Sequence, residues 1–111
     1  MADNFDLVII GAGPAGYVAA VEGAKRGMKT ALIENRELGG TCLNRGCIPT
    51  KTILHSAELY GEIKSCEHLG IHVDGVSCDM AGIQARKEEV LEQLRSGIAA
   101  LMKKNKVTYM D

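Results

Sequence analysis

The pattern of apolar and polar residues in the first third of the chain predicts two buried strands joined by a helix. Leu7–Ile10 is an unbroken aliphatic run, which is typical of a strand in the middle of a parallel sheet that helices cover on both faces. Glycines and alanines follow, and such small residues suit a helix that lies close to a sheet. Thr30–Ile33 forms the second apolar run, and Glu34 comes directly after it. This order predicts a β-α-β unit with parallel strands.

The remainder of the chain predicts two longer helices. Downstream of Pro49, apolar residues recur at the spacing of an amphipathic helix, at Ile53, Ala57 and Tyr60. Residues 79–104 predict a second, longer helix with Asp79 as its N-cap. Its apolar positions are Met80, Ile83, Val90, Leu91, Leu94, Ile98, Leu101 and Met102. Each helix thus has an apolar face with which to pack against the rest of the domain.

The end of the chain completes the predicted fold class. KVTYM, residues 106–110, predicts a third parallel strand, and residues 70–75 predict a loop that contains a short strand. We find no internal repeat and no linker-like stretch, so residues 1–111 are expected to form one domain or a piece of one. The predicted class is α/β, with a Rossmann-like βαβ unit, a parallel sheet and flanking helices.

The turn between the first strand and the first helix has the G-x-G-x-x-G spacing of dinucleotide-binding sites. In that arrangement Gly11 permits a tight turn, Gly13 lets a pyrophosphate approach the backbone, and Gly16 lets the helix pack against the strand. Pro14 fits the first helical turn, where its missing N–H leaves no hydrogen bond unmade. Glu34 stands near the distance at which a carboxylate binds a ribose hydroxyl. The turn predicts a dinucleotide site without choosing between NAD and FAD.

Composition and charge narrow the possible partners. The chain has 111 residues, of which 46% are hydrophobic and 24% charged, with a net charge of -1. No segment is basic enough to indicate nucleic acid or an anionic membrane, and the run Leu7–Ile10 is too short to span a bilayer. We therefore expect a cytoplasmic protein with no nucleic-acid or membrane partner. In such a reducing compartment, closely spaced cysteines are more often catalytic or metal-binding than structural.

Two cysteines at an unusual spacing are the strongest chemical feature of the sequence. Cys42 and Cys47 lie in the stretch GGTCLNRGCIPTK, residues 39–51. In a regular helix their Cα atoms would be about 8.6 Å apart, whereas a disulfide needs roughly 4.4 to 6.8 Å. A bridge therefore requires a distorted turn, for which Gly46 supplies the freedom. Cys47 would then lie near a helix start or kink, where free N–H groups and the helix dipole stabilise a thiolate.

The cysteine pair has three possible interpretations. A zinc site needs four ligands, usually in paired short spacings, and the other cysteines and histidines form no matching second pair. A structural disulfide is disfavoured by a reducing compartment and gains less from a short loop than from a long one. A redox-active pair fits the residues best. The remaining candidates are expected to be free thiols or surface and packing residues: Cys66, Cys78, His55, His68 and His72.

The glycine turn and the cysteine stretch together resemble a known family. GAGPAG followed by GGTCLNRGCIPTK is similar to the N-terminal FAD-binding segment of the flavin-dependent pyridine nucleotide-disulfide oxidoreductases, over nearly the whole chain. Leu43 and the CIPTK ending resemble the members that oxidise dihydrolipoamide more than glutathione or mercuric reductases, and Arg45 stands where many members have Val. The resemblance implies that electrons pass from dihydrolipoamide to the disulfide, then to FAD and finally to NAD.

This resemblance also implies roles for individual residues. Cys42 corresponds to the thiol that exchanges with substrate, and Cys47 to the thiol that contacts the flavin. Lys51 corresponds to the residue that reaches the flavin ring. The residues implied in FAD binding are Gly11, Gly13, Pro14, Ala15, Gly16, Glu34, Asn35, Arg36, Gly40, Thr41, Cys42 and Lys51.

The resemblance also implies further domains that residues 1–111 do not contain. Its members are homodimers with an NAD domain, a dimerisation domain and a catalytic histidine from the other subunit, and the lipoamide enzymes act on a lipoyl carrier protein. Residues 1–111 are therefore expected to be the N-terminal part of an FAD-binding domain, inactive and weak in FAD binding alone. Two alternatives stay open: a flavin disulfide reductase of the glutathione or mercuric type, and an NAD-binding module with structural cysteines.

Overall fold

The protein forms an α/β fold, as predicted. The computed structural model describes residues 3–111, and residues 1 and 2 lie outside the described part. The elements in chain order are β1 Leu7–Ile10, α1 Pro14–Lys25, β2 Thr30–Ile33, α2 Gly40–Arg45, α3 Cys47–Lys64, a 3-10 turn Cys66–Leu69, α4 Met80–Lys104 and β3 Thr108–Met110.

The three strands form one parallel sheet in the order β1-β2-β3. Leu7 is paired with Thr30, and Ala31 is paired with Thr108. Because the strands run in the same direction, their carboxyl ends share one edge of the sheet. The predicted third parallel strand is confirmed, and the segments after β1 and β2 are brought together at this edge.

The position of β1 differs from the prediction. Among residues 3–111, β1 lies at the edge of the sheet and β2 is central. Val8 is 52% exposed and Ile10 is 84% exposed, whereas Leu7 and Ile9 on the other face are half-buried. The aliphatic run was predicted to be covered on both faces, and this is wrong for the described residues because α1 packs on one face of β1 and leaves the other open.

The core lies between the sheet, α1 and α4. Small residues let α1 approach the sheet, and Gly16, Ala20 and Gly23 are buried along one side of it. The apolar repeat of α4 is only partly buried, since Met80, Leu94 and Leu101 remain exposed. The buried hydrophobic cluster consists of Ala12, Ala20, Leu32, Leu43, Leu91, Ile98, Met102 and Val107. Residues of the sheet, the glycine turn, α1, α2 and α4 therefore share one core.

Helices α3 and α4 pack against each other and give the molecule its elongated shape, which measures 68 × 25 × 18 Å. The predicted N-cap of α4 is confirmed, because the Asp79 carboxylate accepts a hydrogen bond of 3.0 Å from the Ala81 N–H. The predicted short strand within residues 70–75 is wrong: these residues are exposed, and the part of the chain that the structure describes, residues 3–111, has no strand there.

Candidate active site

The glycine turn after β1 has the geometry that its spacing predicts. Gly11 adopts a φ of 102°, which favours glycine, and its N–H donates a hydrogen bond of 2.7 Å to the Ile33 carbonyl. A Cβ atom at Gly16 would overlap the Gly11 carbonyl oxygen, so the close packing of α1 on the turn requires glycine. The structural roles predicted for Gly11 and Gly16 are confirmed.

Gly13 differs from Gly16 because a Cβ atom placed there would meet no close contact, and it differs from Gly11 because its φ is negative. It is the N-cap residue of α1 with a φ of -72°, and the nearest atom to a Cβ placed there would be the Gly40 Cα at 4.0 Å. Pro14 occupies the first turn of α1, as predicted. A groove of about 460 Å³ runs along this turn and is lined by Ile9, Ile10, Gly11, Gly13, Pro14, Ala15, Gly16 and Ala19. The helix N-terminus thus opens into a groove suited to a phosphate group.

Glu34 connects the ends of β1 and β2. Its carboxylate accepts one hydrogen bond of 2.9 Å from the Ala12 N–H and another of 3.0 Å from the Arg36 N–H. A carboxylate has about four lone-pair positions on its two oxygens, so acceptor capacity remains for the hydroxyl groups of a ligand. The acid predicted for ribose binding therefore has an additional, structural role in holding the glycine turn.

Asn35 and Arg36 follow Glu34 at the carboxyl edge of the sheet, beside β3. Asn35 and Arg36 are both exposed, and the Arg36 carbonyl accepts a hydrogen bond of 3.5 Å from the Tyr109 hydroxyl. Partial burial, followed by the charges of Asp111 and Glu34, raises the pKa of Tyr109 above its ordinary value. The phenol therefore stays a neutral hydrogen-bond donor beside the predicted adenosine end.

The cysteine stretch rests directly on the glycine turn. The Gly39 N–H donates a hydrogen bond of 2.9 Å to the Ala12 carbonyl. A Cβ atom at Gly40 would lie 2.7 Å from the Gly13 Cα, and the φ of Gly40 is 64°. Thr41 follows and is exposed. Two predicted FAD contacts, Gly13 and Gly40, are thereby in backbone contact with each other although they are far apart in sequence.

Cys42 and Cys47 form a disulfide, with their Cα atoms 4.7 Å apart. Cys42 lies in α2, which has only six residues, and Cys47 is the first residue of α3. Gly46 separates the two helices with a φ of -131° and a ψ of -105°. The predicted break in the helix and the predicted position of Cys47 at a helix start are both confirmed.

The environments of the two sulfur atoms differ. Cys42 is half-buried, whereas Cys47 is exposed at the N-terminus of the 18-residue helix α3. The free N–H groups at such a terminus favour a thiolate. Lys51, which is exposed, follows Cys47 by one helical turn, and residues at that spacing lie on the same side of a helix. Cys47 therefore has the surroundings of a leaving thiolate, and Lys51 adds a positive charge on that side.

Asn44 and Arg95 are site residues that the sequence analysis missed. The Asn44 Nδ2 donates hydrogen bonds to the carbonyls of Leu38 and Gly40 at 3.0 and 2.9 Å, and its Oδ1 accepts one of 3.0 Å from Arg95 Nη1. Arg95 is in turn held by the Glu92 carboxylate at 3.0 Å. Asn44 stands between the cysteines, which is a hint available in the sequence, but its partnership with Arg95 spans 51 residues and leaves no pattern.

Arg45, the neighbouring residue, points to a different partner. Its guanidinium donates two hydrogen bonds to the Glu37 carboxylate at 2.7 and 3.0 Å, and both side chains are substantially exposed. The hydrogen bond from Arg45 lowers the pKa of Glu37, with a further contribution from the Glu37 backbone N–H. The unusual charge beside the disulfide is therefore paired on the surface.

A small apolar pocket adjoins Cys42. Its volume is about 180 Å³, and its wall is formed by Pro14, Tyr17, Gly39, Cys42, Leu43, Ile48, Leu94 and Ile98. Its lining side chains are apolar except for the Tyr17 hydroxyl and the sulfur itself. The pocket can accept a hydrocarbon group next to a reactive sulfur atom.

The remaining candidates take no part in this site. Cys66 and Cys78 are free thiols, as predicted, and Cys66 Sγ lies 2.9 Å from the Ile63 carbonyl. His68 contacts the Ser65 carbonyl at 2.6 Å in the turn after α3. Within residues 3–111 we find no cluster of three or more metal-ligating side chains. None of the described helices is both long and apolar enough to cross a membrane.

Comparison with known proteins gives one consistent result. The family described as "Pyridine nucleotide-disulphide oxidoreductase" matches residues 5–111. The chain is 52% identical to a dihydrolipoyl dehydrogenase of Chlamydia muridarum, over 97% of the chain and 23% of that relative. Identity is 46% to the dihydrolipoyl dehydrogenase of Bacillus subtilis, over 96% of the chain and 23% of the relative. The chain is also 51% identical to a mitochondrial dihydrolipoyl dehydrogenase of Pisum sativum, over 97% of the chain and 22% of that relative. The chain spans less than a quarter of the length of these relatives.

Proposed function

Because this chain belongs to the pyridine nucleotide-disulphide oxidoreductase family, we propose that it is the FAD-binding and redox-disulfide part of a dihydrolipoyl dehydrogenase. The observation that carries the proposal is the disulfide between Cys42 and Cys47, which sits at the start of α3 while its supporting loop touches the glycine turn. A structural disulfide would not need its supporting loop to touch a glycine turn with the spacing of a dinucleotide site. A redox-active one does, because electrons must pass between the two.

The residues present fit an FAD molecule. Gly13 lacks the Cβ that would narrow the groove beside the α1 N-terminus, and Ala15 and Gly16 line that groove. Glu34 keeps acceptor capacity toward a ribose, with Asn35 and Arg36 beside it. In this proposal Gly11, Gly13, Pro14, Ala15, Gly16, Gly40, Thr41 and Cys42 hold the pyrophosphate and ribityl chain, and Lys51 approaches the flavin ring. When bound, FAD supplies two-electron transfer between the cysteine pair and NAD.

The cysteines carry the substrate chemistry by thiol–disulfide exchange. A thiolate of dihydrolipoamide attacks Cys42 Sγ, the Cys42–Cys47 bond breaks, and Cys47 leaves as a thiolate. The second thiol of the substrate then attacks its own sulfur in the mixed disulfide and releases Cys42 as a thiol. The substrate is thereby oxidised to its cyclic disulfide, and the cysteine pair takes up two electrons. The N-terminus of α3 and the charge of Lys51 stabilise the departing Cys47 thiolate.

The apolar pocket beside Cys42 supports a lipoyl substrate over its rivals. Its wall of Tyr17, Leu43, Ile48 and Ile98 suits the hydrocarbon chain of a lipoyl group. Glutathione carries charged groups, and the pocket offers them no ionic partner. A reductase of the glutathione or mercuric type is therefore the second candidate, and it would need its charged contacts from elsewhere.

The proposal extends to the whole enzyme. Residues 1–111 form the N-terminal part of an FAD-binding domain, and the NAD and dimerisation domains lie outside these residues. The enzyme is a homodimer whose substrate is dihydrolipoamide on a lipoyl carrier protein, with NAD as the final acceptor. The catalytic base comes from the partner subunit. A cytoplasmic location stays a prediction.

Bound flavin and its response to reduction test this function. We expect the full-length protein to be yellow, and two-electron reduction to give a long-wavelength charge-transfer band from the Cys47 thiolate. Cys47→Ser should abolish that band, whereas Cys78→Ser, a control outside the site, should keep it. A colourless protein that binds NAD at the glycine turn would overturn the proposal in favour of the NAD-binding module. A higher kcat/KM on glutathione disulfide than on lipoamide would replace the lipoyl substrate.

A further inference from the structure

The short helix that carries Cys42 has little to hold it in place by itself. It spans six residues, lacks a side-chain N-cap, and is bounded by Gly39 and Gly46. A helix of this length is not stable alone, because the first turn costs more conformational entropy than its few hydrogen bonds return. The position of Cys42 must therefore be set by contacts to other elements.

Asn44 supplies these contacts in two directions. Its amide nitrogen donates to the Leu38 carbonyl in the loop before α2 and to the carbonyl of Gly40, the first residue of α2, whose backbone touches Gly13. Its amide oxygen faces the Arg95 guanidinium at 3.0 Å. This arrangement fixes the orientation of the amide, since a flipped amide would place its N–H groups against the guanidinium.

Arg95 anchors the amide to α4. The side chain is only 26% exposed, and the Glu92 carboxylate on the same helix accepts from its Nε and Nη2 at 3.2 and 3.0 Å. Glu92 thereby directs Nη1 toward α2. A continuous chain of contacts runs from α4 through Arg95, Asn44 and Gly40 to Gly13 at the nucleotide turn.

We propose that Asn44 and Arg95 are positioning residues that set the redox equilibrium of the Cys42–Cys47 pair. The hydrogen bonds are seen with the disulfide closed. Reduction removes the covalent link between α2 and α3, so in this proposal the network around Asn44 holds α2 more firmly with the disulfide closed than with it open. The network therefore favours the closed disulfide and keeps Cys42 and Cys47 at a fixed position relative to the glycine turn. The part of this inference that concerns flavin rests on the proposed function, whereas the part that concerns the disulfide equilibrium does not.

The first test measures the disulfide in the full chain without flavin. We would equilibrate Arg95→Met and Asn44→Ala in glutathione redox buffers and quantify the closed pair by alkylation and mass spectrometry. We expect the equilibrium to shift about tenfold toward the dithiol, which is about 30 mV for a two-electron couple. The control is Arg86→Met, because Arg86 also pairs with a glutamate three residues away on α4, Glu89, but is more exposed and has no hydrogen bond to α2.

Two further comparisons separate positioning from general destabilisation. The double variant should shift the equilibrium no further than the larger single shift, because the two residues act as one unit. Arg95→Lys should recover part of the shift, since an ammonium can bond the Asn44 oxygen. If Arg95→Met fails to fold, Asn44→Ala carries the comparison with the Arg86→Met control. An equilibrium of Arg95→Met within twofold of the Arg86→Met value would overturn the proposal, and the same criterion applies to Asn44→Ala.

A second measurement uses the flavin-loaded protein. We expect Asn44→Ala to weaken the charge-transfer band on two-electron reduction at least twofold while the amount of bound flavin stays the same. An unchanged band would overturn the proposal that the network positions the cysteine pair. A wild-type protein without flavin would instead sink the proposed function and leave the measurements on the disulfide standing, so the two failures are distinguishable.

Discussion

The glycine turn and the cysteine stretch are both glycine-rich segments that lead into helices, yet they are held in different ways. The turn is shaped by backbone alone: Gly11 has a positive φ, and Gly16 allows α1 to touch it. The cysteine stretch also uses glycines, but it depends on Asn44 and a distant arginine for its position. Backbone geometry alone therefore fixes the glycine turn, whereas the cysteine stretch also needs side-chain contacts from a distant helix.

The largest effect is expected at Gly16, where the turn has no room to adjust. Gly16→Ala places a Cβ on the Gly11 carbonyl oxygen, so α1 must move away from the sheet. We expect a loss of about 3 kcal/mol or more in the free energy of unfolding, which is the upper end of the range typical of overpacked cores. Gly13→Ala is the matched control, because its nearest atom is 4.0 Å away. It should lose under about 1 kcal/mol while weakening flavin binding. Equal losses in urea unfolding would contradict this interpretation of the turn.

The second effect compares neighbouring residues in the cysteine stretch. Asn44→Ala removes three hydrogen bonds: one within α2, one to the loop before it and one to α4. We expect a loss of about 2 kcal/mol, given roughly 1 kcal/mol for each net hydrogen bond and some recovery by water. Arg45→Ala breaks only an exposed pair with Glu37 and should lose less than about 1 kcal/mol. Urea unfolding of both variants measures the difference, and a larger loss for Arg45→Ala would reverse the ranking.

The same contrast explains what the sequence could predict. The β-α-β unit, the roles of Gly11 and Gly16, and the helix break at Gly46 follow from local rules on glycine and helix geometry, and all are confirmed. The Asn44–Arg95 contact joins residues 51 positions apart on elements whose packing is tertiary. An arginine on a charged helix has no local property that distinguishes it from its solvated neighbours.

The two errors in the fold have a related cause. The aliphatic run Leu7–Ile10 indicates a strand but not its place in the sheet, and within residues 3–111 it lies at an edge. Residues 70–75 have apolar residues at alternating positions, which favours a strand only when a partner strand is near. Strand order and pairing depend on other segments, so local patterns do not determine them.

A third prediction addresses Glu34, which links the turn to β2. Glu34→Gln has only one acceptor oxygen, so the Ala12 and Arg36 N–H groups cannot both keep separate oxygen partners. We expect a loss of about 1 kcal/mol, with faster hydrogen exchange at the Ala12 or Arg36 amide. The control is Glu37→Gln, an exposed acid nearby that does not contact the turn. If both amides keep their full protection in Glu34→Gln, then Glu34 does not hold the turn.

The smallest effect is the pH dependence of the surface pair between Glu37 and Arg45. The hydrogen bond from Arg45 lowers the pKa of Glu37 below its ordinary value of 4.5. A lowered pKa in the folded state means that the pair stabilises the protein above pH 4.5 and that this contribution is lost as the pH falls through the lowered value. The stability difference between wild type and Arg45→Gln should therefore be constant near neutral pH and shrink in acid.

Carboxyl titration by NMR checks this directly. The Glu37 midpoint should lie below 4.5 in the wild type and return toward 4.5 in Arg45→Gln. Glu88 provides an internal control, because a hydrogen bond from Lys87 lowers its pKa independently of Arg45. Its midpoint should stay lowered in both proteins. If Glu37 titrates unchanged after the substitution, then Arg45 is a solvated charge beside the disulfide rather than a paired one, and its field would have to be counted when the redox equilibrium of Cys42 and Cys47 is interpreted.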